Sequence, residues 1–246
     1  MNSTKLFFTV AFLFALFTCQ AQRLSIGAKL AYNNTALYNK NIFDQVDYVK
    51  THANSFGAQL NLMFTKKWGI TADLLLANQN QKYTLVDATN TFNGESKFTY
   101  LDIPFLLKRK NRIGLHFEVG PMISRLLSAK ETVLNSDGSL NYSDKDFKKD
   151  FNDFGISAVG GLGWDIKISR KIMISIEGRA GYMFSDVTKQ YSDADLLDLF
   201  TKGQISLNTL YSHIDENGNI NYEKSSRIFT GVNVGLHWVI VPFGLK

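Results

Sequence analysis

The sequence of 246 residues contains only one cysteine, Cys19. It lies just after an apolar run, Leu6 to Phe17, that is too short to cross a bilayer as a helix and that follows a single lysine. We interpret residues 1–21 as a signal peptide, with lipidation of Cys19 as the alternative. Residues 22–246 would then form the mature domain without cysteine, which excludes disulfide bridges and thiolate metal sites.

Beyond this segment the chain has no apolar run long enough for a transmembrane helix. The formal net charge is +5, or +5 − 1 = +4 without the lysine of the signal peptide, and the basic residues are interspersed with acids. A nucleic-acid-binding protein would gather its cations on one face, so nucleic acid is excluded as a partner. No nucleophile elbow, zinc-protease, phosphate-loop or dinucleotide motif is present, so we expect no catalytic residues, no cofactor and no metal.

What the chain does contain is strict alternation of apolar and polar residues. Leu30 and Tyr32 fall on one face of the first such segment, and Lys29 and Ala31 fall on the other. Period-two alternation predicts β-strands with one face in an apolar environment. Eight segments have this pattern and a length suited to a tilted membrane strand: 24–32, 55–64, 68–77, 97–108, 112–127, 153–167, 171–184 and 226–241.

The connections between these segments alternate between long and short. The short ones are 65–67, 109–111 and 169–171, and the long ones are 33–54, 78–96, 128–152 and 185–225. Transmembrane barrels have tight periplasmic turns and long external loops, whereas a β-sandwich has no reason to alternate in this way. We therefore predict an all-β fold, an eight-stranded antiparallel up-and-down barrel of the outer membrane.

The aromatic residues are distributed to the ends of the predicted strands. Amphipathic rings favour the headgroup level of a bilayer, so this placement predicts two aromatic belts. Trp68, Trp164 and Trp238 fall at the periplasmic rim, and Tyr32, Phe56, Phe154, Tyr182 and Phe184 fall at the opposite rim.

The long loops contain local structure signals of their own. Residues 132–143 and 211–223 each place Asp-Gly or Asn-Gly between short alternating runs, which indicates hairpins. Ser192 precedes a leucine-rich stretch as a helix N-cap, so we expect one short helix in the last loop. His52 and His213 fall in loops, where we expect them to be solvated.

The face opposite the apolar one is rich in glycine and also contains charged residues near the middle of the strands. Burying a charged side chain without a partner costs on the order of several kcal/mol, and a nearby opposite charge reduces this cost. We therefore predict an internal salt-bridge network formed by Lys29, Glu118, Glu177, Arg179 and His116. A proton relay of Glu118, Glu177 and His116 is the functional alternative. We favour packing, because eight strands enclose only enough room for side chains.

Four stretches are distinctive: YLDIPFLLKRK at 100–110, HFEVGPMIS at 116–124, DFGISAVGGLGWDI at 153–166 and SIEGRAGYMF at 175–184. They resemble the PorT-type outer-membrane β-barrel family, which has a similar aromatic-x-x-Ile-Pro run, a Gly-Pro after an acid and a late Glu-x-Arg. The resemblance implies an eight-stranded barrel in a Gram-negative outer membrane. It also implies, for one branch, a role as an accessory to protein secretion, and it brings no catalytic residues.

Three functional hypotheses follow. The first is a non-enzymatic barrel that contacts outer-membrane lipids and binds an envelope or secretion-system protein through its external loops. The second is an outer-membrane enzyme acting on lipid or peptide, for which Ser212 with His213 is a scattered candidate pair. The third is a secreted, lipocalin-like barrel with its apolar face inward. That barrel would expose a glycine-rich face with few of the charges that solubility requires.

Overall fold

Eight long antiparallel strands close on themselves in the computed structural model, which describes residues 23–41, 46–49, 51–86, 91–134, 139–215 and 218–241. Alternating side chains make these segments strands, because one face can then be apolar while the other is polar. The predicted signal peptide, residues 1–21, lies outside the described residues. The barrel strands are β1 (Arg23–Tyr38), β3 (Thr51–Met63), β4 (Trp68–Val86), β5 (Thr91–Lys110), β6 (Leu115–Leu134), β8 (Phe154–Lys167), β9 (Ile172–Met183) and β10 (Ser226–Val241).

Each barrel strand pairs with its neighbours along the chain, and β1 pairs with β10 to close the ring. The closing register sets Lys29 opposite Gly235 and Tyr32 opposite Val232. Closure leaves no barrel strand with a free edge at mid-height, as a spanning sheet requires. The prediction of an eight-stranded antiparallel up-and-down barrel is confirmed.

Three tight turns connect strands at one end of the barrel, which we call the turn end. In each turn a side-chain oxygen accepts backbone N–H bonds that the strands leave unpaired. Thr65 Oγ1 accepts from Lys67 and Trp68 at 3.1 and 2.9 Å, and Ser169 Oγ accepts from Lys171 and Ile172 at 3.2 and 3.0 Å. In the third turn, Asn111 Oδ1 accepts from Ile113 N at 3.1 Å.

At the opposite end, the loop end, the strands extend further than the sequence predicted. Residues 78–96 were expected to form a loop, but β4 and β5 remain paired up to Val86 opposite Thr91. Two short strands widen this wall: β2 (Val46–Val49) pairs with β4, and β7 (Leu140–Asp146) pairs with β6. The predicted hairpin at 132–143 is confirmed by the β6–β7 pairing, while its tip at 135–138 lies outside the described residues.

The described part of the last connection, residues 185–215 and 218–225, is folded rather than extended, and we call it the lid. The expected helix α1 (Asp193–Thr201) is confirmed, with Ser192 as its N-cap accepting from Asp195 N. A second helix, α2 (Leu207–His213), was not predicted. It takes up residues 211–213 at the start of the expected hairpin 211–223, of which one bridge, Ile214 to Ile220, is present. Along the described stretches of chain, no helix is long and apolar enough to cross a membrane.

The two faces of the barrel have opposite chemistry. Apolar side chains cover the outside; Leu30 is 65% exposed and Leu162 is 73% exposed. The neighbouring Lys29 and Gly161 point inward, as period-two alternation requires. A lipocalin-like barrel needs the reverse arrangement, so the structure excludes it.

The eight aromatic residues assigned to two belts all lie exposed on the outside of the barrel and separate toward its two ends. Their role at a lipid headgroup level stays a prediction. Trp68, Trp164 and Trp238 lie toward the turn end, and Tyr32, Phe56, Phe154, Tyr182 and Phe184 lie toward the loop end.

Candidate functional site

Arg179 lies at the centre of a buried cluster of charges in the lumen. Its guanidinium nitrogens lie 2.6 Å from Asp73, 2.9 Å from Glu118 and 2.7 Å from Glu177. Lys29 bridges two of the same carboxylates, with Nζ 3.1 Å from both Asp73 and Glu177. The planar guanidinium has five N–H donors, which allows one side chain to serve three acids.

A second part of the cluster continues toward the turn end. Lys108 Nζ lies 3.1 Å from Glu118 and 3.3 Å from Asp165, and Lys110 Nζ lies 2.5 Å from Asp165. His116 lies between the same two acids, with Nδ1 3.4 Å from Asp165 and Nε2 3.9 Å from Glu118. The cluster thus contains four carboxylates and four permanent cations within the described lumen.

The structure brings together all five residues that the sequence assigned to an internal network: Lys29, Glu118, Glu177, Arg179 and His116. They come from β1, β6 and β9 and share one depth because the barrel register aligns the middles of these strands. Their role as a stabilising network, as opposed to a working one, stays a proposal.

Sequence reasoning missed two cations of this cluster, Lys108 and Lys110. Lys108 was placed at the end of the predicted strand 97–108 but was not assigned to the network, and Lys110 was placed in the connection 109–111. The alternation of faces contained the missing signal. Lys108 lies an even number of residues after Asp102 on β5, so both side chains point inward.

Two glycines on β8 make room for the cluster. A Cβ at Gly161 would lie 2.3 Å from Glu177 Oε1, and one at Gly163 would lie 2.7 Å from His116 Nε2. Gly160, which points outward, has nothing within 4 Å of such a Cβ. The inward glycines are therefore required by the size of the charged side chains.

Nearer the loop end, a separate ion pair crosses the lumen. Arg227 binds both oxygens of Asp102 at 3.0 Å, and Ser124 Oγ donates to Asp102 at 2.6 Å. The guanidinium also lies over the ring of Tyr100, 4.4 Å from its centroid. Neither Arg227 nor Asp102 was among the residues predicted to form ion pairs inside the barrel.

Between these two charged layers the lumen is nearly filled. Leu106, Met122, Val159 and Phe229 form an apolar cluster there, and the adjoining cavity has a volume of about 20 Å³. A cavity of this size holds about one water molecule. The middle of the lumen therefore offers no room for a substrate, in agreement with the packing expected of eight strands.

The donor atoms of His116, Glu118 and Glu177 lie within 4.8 Å of one another, a spacing that a metal ion could use. However, Arg179 and Lys108 already contact these carboxylates at 2.7–3.1 Å. A bound divalent cation would have to displace those partners, so the arrangement favours ion pairing over metal binding.

The lid is held on the loop end of the barrel by two buried carboxylates that accept backbone N–H bonds at the start of α2. Asp150 accepts from Ser206 N at 2.7 Å, and Glu131 accepts from Leu207 N at 3.2 Å. Burial raises the pKa of Asp150, with hydrogen bonds from Ser206 and Tyr191 opposing the shift. These contacts fix the position of α2 over the barrel.

His213 is buried inside the lid, contrary to the expectation that it is solvated. Its Nδ1 lies 2.8 Å from the Thr209 carbonyl oxygen, and its Nε2 lies 2.9 Å from Tyr191 N. Tyr191 N can only donate, so Nε2 is the acceptor and Nδ1 is the protonated nitrogen. Burial lowers the pKa of His213.

These contacts also show whether Ser212 and His213 could act as a nucleophile and its base. Ser212 Oγ donates to the Thr209 carbonyl oxygen at 2.7 Å, and His213 has no free nitrogen to accept a proton from it. A nucleophile needs a base within reach that can accept its proton. The geometry of this pair does not provide one.

Comparison with known proteins assigns the chain to a family. The family model described as "Outer membrane protein beta-barrel domain" matches residues 20–189. The chain belongs to this family. Its location is the cell outer membrane, and in this outer-membrane barrel the turn end faces the periplasm and the loop end faces outward. No curated protein sequence is significantly similar to the chain.

Several solved structures are similar to this outer-membrane barrel. Neisserial surface protein A is 11% identical, with 87% of this chain and 96% of that chain covered and a TM-score of 0.37. OprG from Pseudomonas aeruginosa is 10% identical, with 90% and 97% covered and a TM-score of 0.40. Ail of Yersinia pestis is 9% identical, with 87% and 98% covered and a TM-score of 0.38. Because these identities and TM-scores are low, the assignment to the family rests on the match of the family model alone.

Proposed function

We propose that this outer-membrane barrel is a non-enzymatic protein whose extracellular lid binds an envelope partner, and that it acts as a PorT-like accessory to protein secretion. The observation that carries the proposal is the contrast between the two parts of the molecule. The middle of the lumen is filled, leaving a cavity of about 20 Å³, while the long lid has a folded core of its own. A protein that works at its surface needs an ordered lid but no passage.

The lid exposes two apolar side chains on one face of α1. Leu197 is 64% exposed and Phe200 is 54% exposed, whereas Leu196 on the other face is packed against Ile205 and Leu210. These two residues lie outside the lipid-facing wall, so lipid contact does not explain their exposure. Apolar side chains exposed on an ordered extracellular segment are typical of a protein-binding patch.

The test is a deletion strain assayed for protein secretion and complemented with variants. We expect the wild-type gene to restore secretion and the double variant Leu197→Ser, Phe200→Ser to fail, although it reaches the outer membrane at wild-type level. The matched control is Ile220→Ser, which removes an exposed apolar side chain elsewhere on the lid. Normal secretion in the deletion strain would reject the secretion role, and full restoration by the double variant would reject the patch.

A further inference from the structure

The periplasmic mouth of the barrel contains a cavity of about 470 Å³ that the preceding proposal does not use. Its volume is in the range of small-molecule sites, about 300–1,000 Å³. The cationic residues that line it are Arg23, Lys66, Lys108, Lys110, Arg112 and Lys167. Asp165 is the one acid among the described residues of this lining, so six cations face a single carboxylate.

The cations fall into three groups. Lys108 and Lys110 are both paired with Asp165, at 3.3 and 2.5 Å. Lys66, Arg112 and Lys167 are exposed at the rim, where water solvates them. Among these six, Arg23 alone is buried without a carboxylate within 4 Å, and Asp165 attracts it only from a longer distance.

Arg23 is 6% exposed, yet among the described residues no carboxylate lies within 4 Å of its guanidinium. Its recorded contact is with the sulfur of Met173, 3.1 Å from Nη2, which is a weak acceptor. Arginine cannot lose its charge in a protein, and a buried charge without a partner is unfavourable. The site is therefore short of an anion.

We propose that this mouth is a binding site for a phosphate group, with Arg23 as its principal ligand. A phosphate offers several acceptor oxygens that match the fork of a guanidinium, and up to two negative charges that match a site with more than one free cation. A carboxylate has one charge and would balance Arg23 and the rim cations less well than a phosphate. The phosphate belongs either to a soluble phosphate ester of the periplasm or to a phospholipid headgroup of the inner leaflet.

The two sources differ in what else they contact. A lipid would place its chains against the apolar rim, where Ile113 is 70% exposed and Trp164 is 49% exposed. A soluble ester would need only the cavity. Trp164 lines the cavity and provides an intrinsic fluorescence signal for either ligand.

The experiment uses the full chain in a nonionic detergent, titrated with glycerol 3-phosphate or with dihexanoyl-phosphatidylglycerol. Glycerol and dihexanoylglycerol serve as phosphate-free controls. We expect saturable binding of at least one phosphate compound and no binding of the controls. Calorimetry measures binding to the wild type, and fluorescence measures it in a Trp68→Phe, Trp238→Phe background, in which Trp164 is the one remaining tryptophan. Binding of the lipid alone identifies the headgroup as the source, and binding of both identifies the phosphate itself.

Arg23→Gln is expected to weaken binding at least tenfold, and Arg23→Lys to retain part of it. Arg170→Gln, which removes an exposed arginine of the same end that does not line the cavity, should change affinity by less than twofold. The change of electrophoretic mobility on heating establishes that each variant is folded. Wild-type affinity in Arg23→Gln, an equal loss in Arg170→Gln, or no binding of either phosphate compound would overturn the proposal.

Discussion

Arg227 and Asp102 face each other across the lumen with two N–H···O bonds of 3.0 Å each. They come from β10 and β5, on well-separated parts of the barrel, so the pair connects opposite walls. Both are buried, at 3% and 4% exposure. Such a pair adds little stability compared with two apolar side chains of the same shape. Removing one partner, however, leaves an uncompensated buried charge, which is strongly destabilising.

This relationship predicts an asymmetric response to mutation. Asp102→Ala should lower the free energy of unfolding by about 3–5 kcal/mol, because the Arg227 guanidinium then stays buried without its acid. The double variant Asp102→Leu, Arg227→Met should recover most of that loss. Denaturant unfolding from lipid vesicles measures both. Asp198→Ala, which removes an exposed ion pair of α1 at 2.7 Å, is the control and should cost about 0.5 kcal/mol or less.

Glu118 provides a test of the larger cluster. It contacts Arg179 at 2.9 Å and Lys108 at 3.1 Å, so Glu118→Ala leaves two cations with fewer partners. We expect a loss of roughly 3 kcal/mol or more for Glu118→Ala and a smaller loss for Glu118→Gln, which keeps the shape and one acceptor. Unchanged unfolding midpoints in both variants would show that the cluster does not stabilise the barrel. Glu95→Ala, on the outer face of β5, is the matched control.

Two adjacent glycines of β8, one pointing inward and one outward, allow the packing of the lumen to be tested. Gly161→Ala places a methyl group 2.3 Å from Glu177 Oε1, so we expect a destabilisation of about 1–3 kcal/mol from overpacking. Gly160→Ala meets no atom within 4 Å and should be neutral or slightly stabilising. Equal effects of the two substitutions would contradict the inward orientation of residue 161.

His213 makes the lid sensitive to acid. Burial lowers its pKa in the folded lid, so its contribution to stability is complete above the unfolded value of 6.5 and is lost as the pH falls below that value. Protonation would turn Nε2 into a donor facing Tyr191 N, another donor. Hydrogen-exchange protection of lid amides, corrected for intrinsic rates, should therefore be lower at pH 5.5 than at pH 7.5.

His213→Gln should remove this pH dependence, whereas His52→Gln, at an exposed position stacked on Tyr32, should keep it. Asp150 acts in the opposite direction, because its raised pKa makes its contribution greatest at low pH and lost as the pH rises. Repeating the measurement with Asp150→Asn separates the two effects. A lid whose protection is constant between pH 5.5 and 7.5 in that background would refute the assignment to His213.

The sequence predicted the barrel well because alternation assigns each side chain to a face without knowledge of distant partners. Lys29 must point inward if Leu30 points outward, and closure then brings Lys29 to Glu177. The same rule would have found Arg227 and Lys108, because each lies an even number of residues from side chains of its own strand that face the lumen. The alternation thus predicts more of the buried charges than the five that the sequence analysis assigned.

The lid could not be predicted in the same way. Helix α2 runs into the start of the expected hairpin, and its first N–H groups are bound by residues far away in the sequence. Glu131 and Asp150, 76 and 56 residues earlier, accept from Leu207 N and Ser206 N. Such contacts depend on where the rim of the barrel lies in space. Local propensity contains no information about that position.

The balance of four acids and four bases in the cluster around Arg179 also constrains how the molecule is made. These charges lie on β1, β4, β5, β6, β8 and β9, so a half-assembled sheet entering hydrocarbon would expose some of them without their counterparts. Insertion one strand at a time is therefore disfavoured. Biogenesis of this protein must bring the strands together before or during entry into the bilayer, in a concerted step that an insertion machinery would have to shelter.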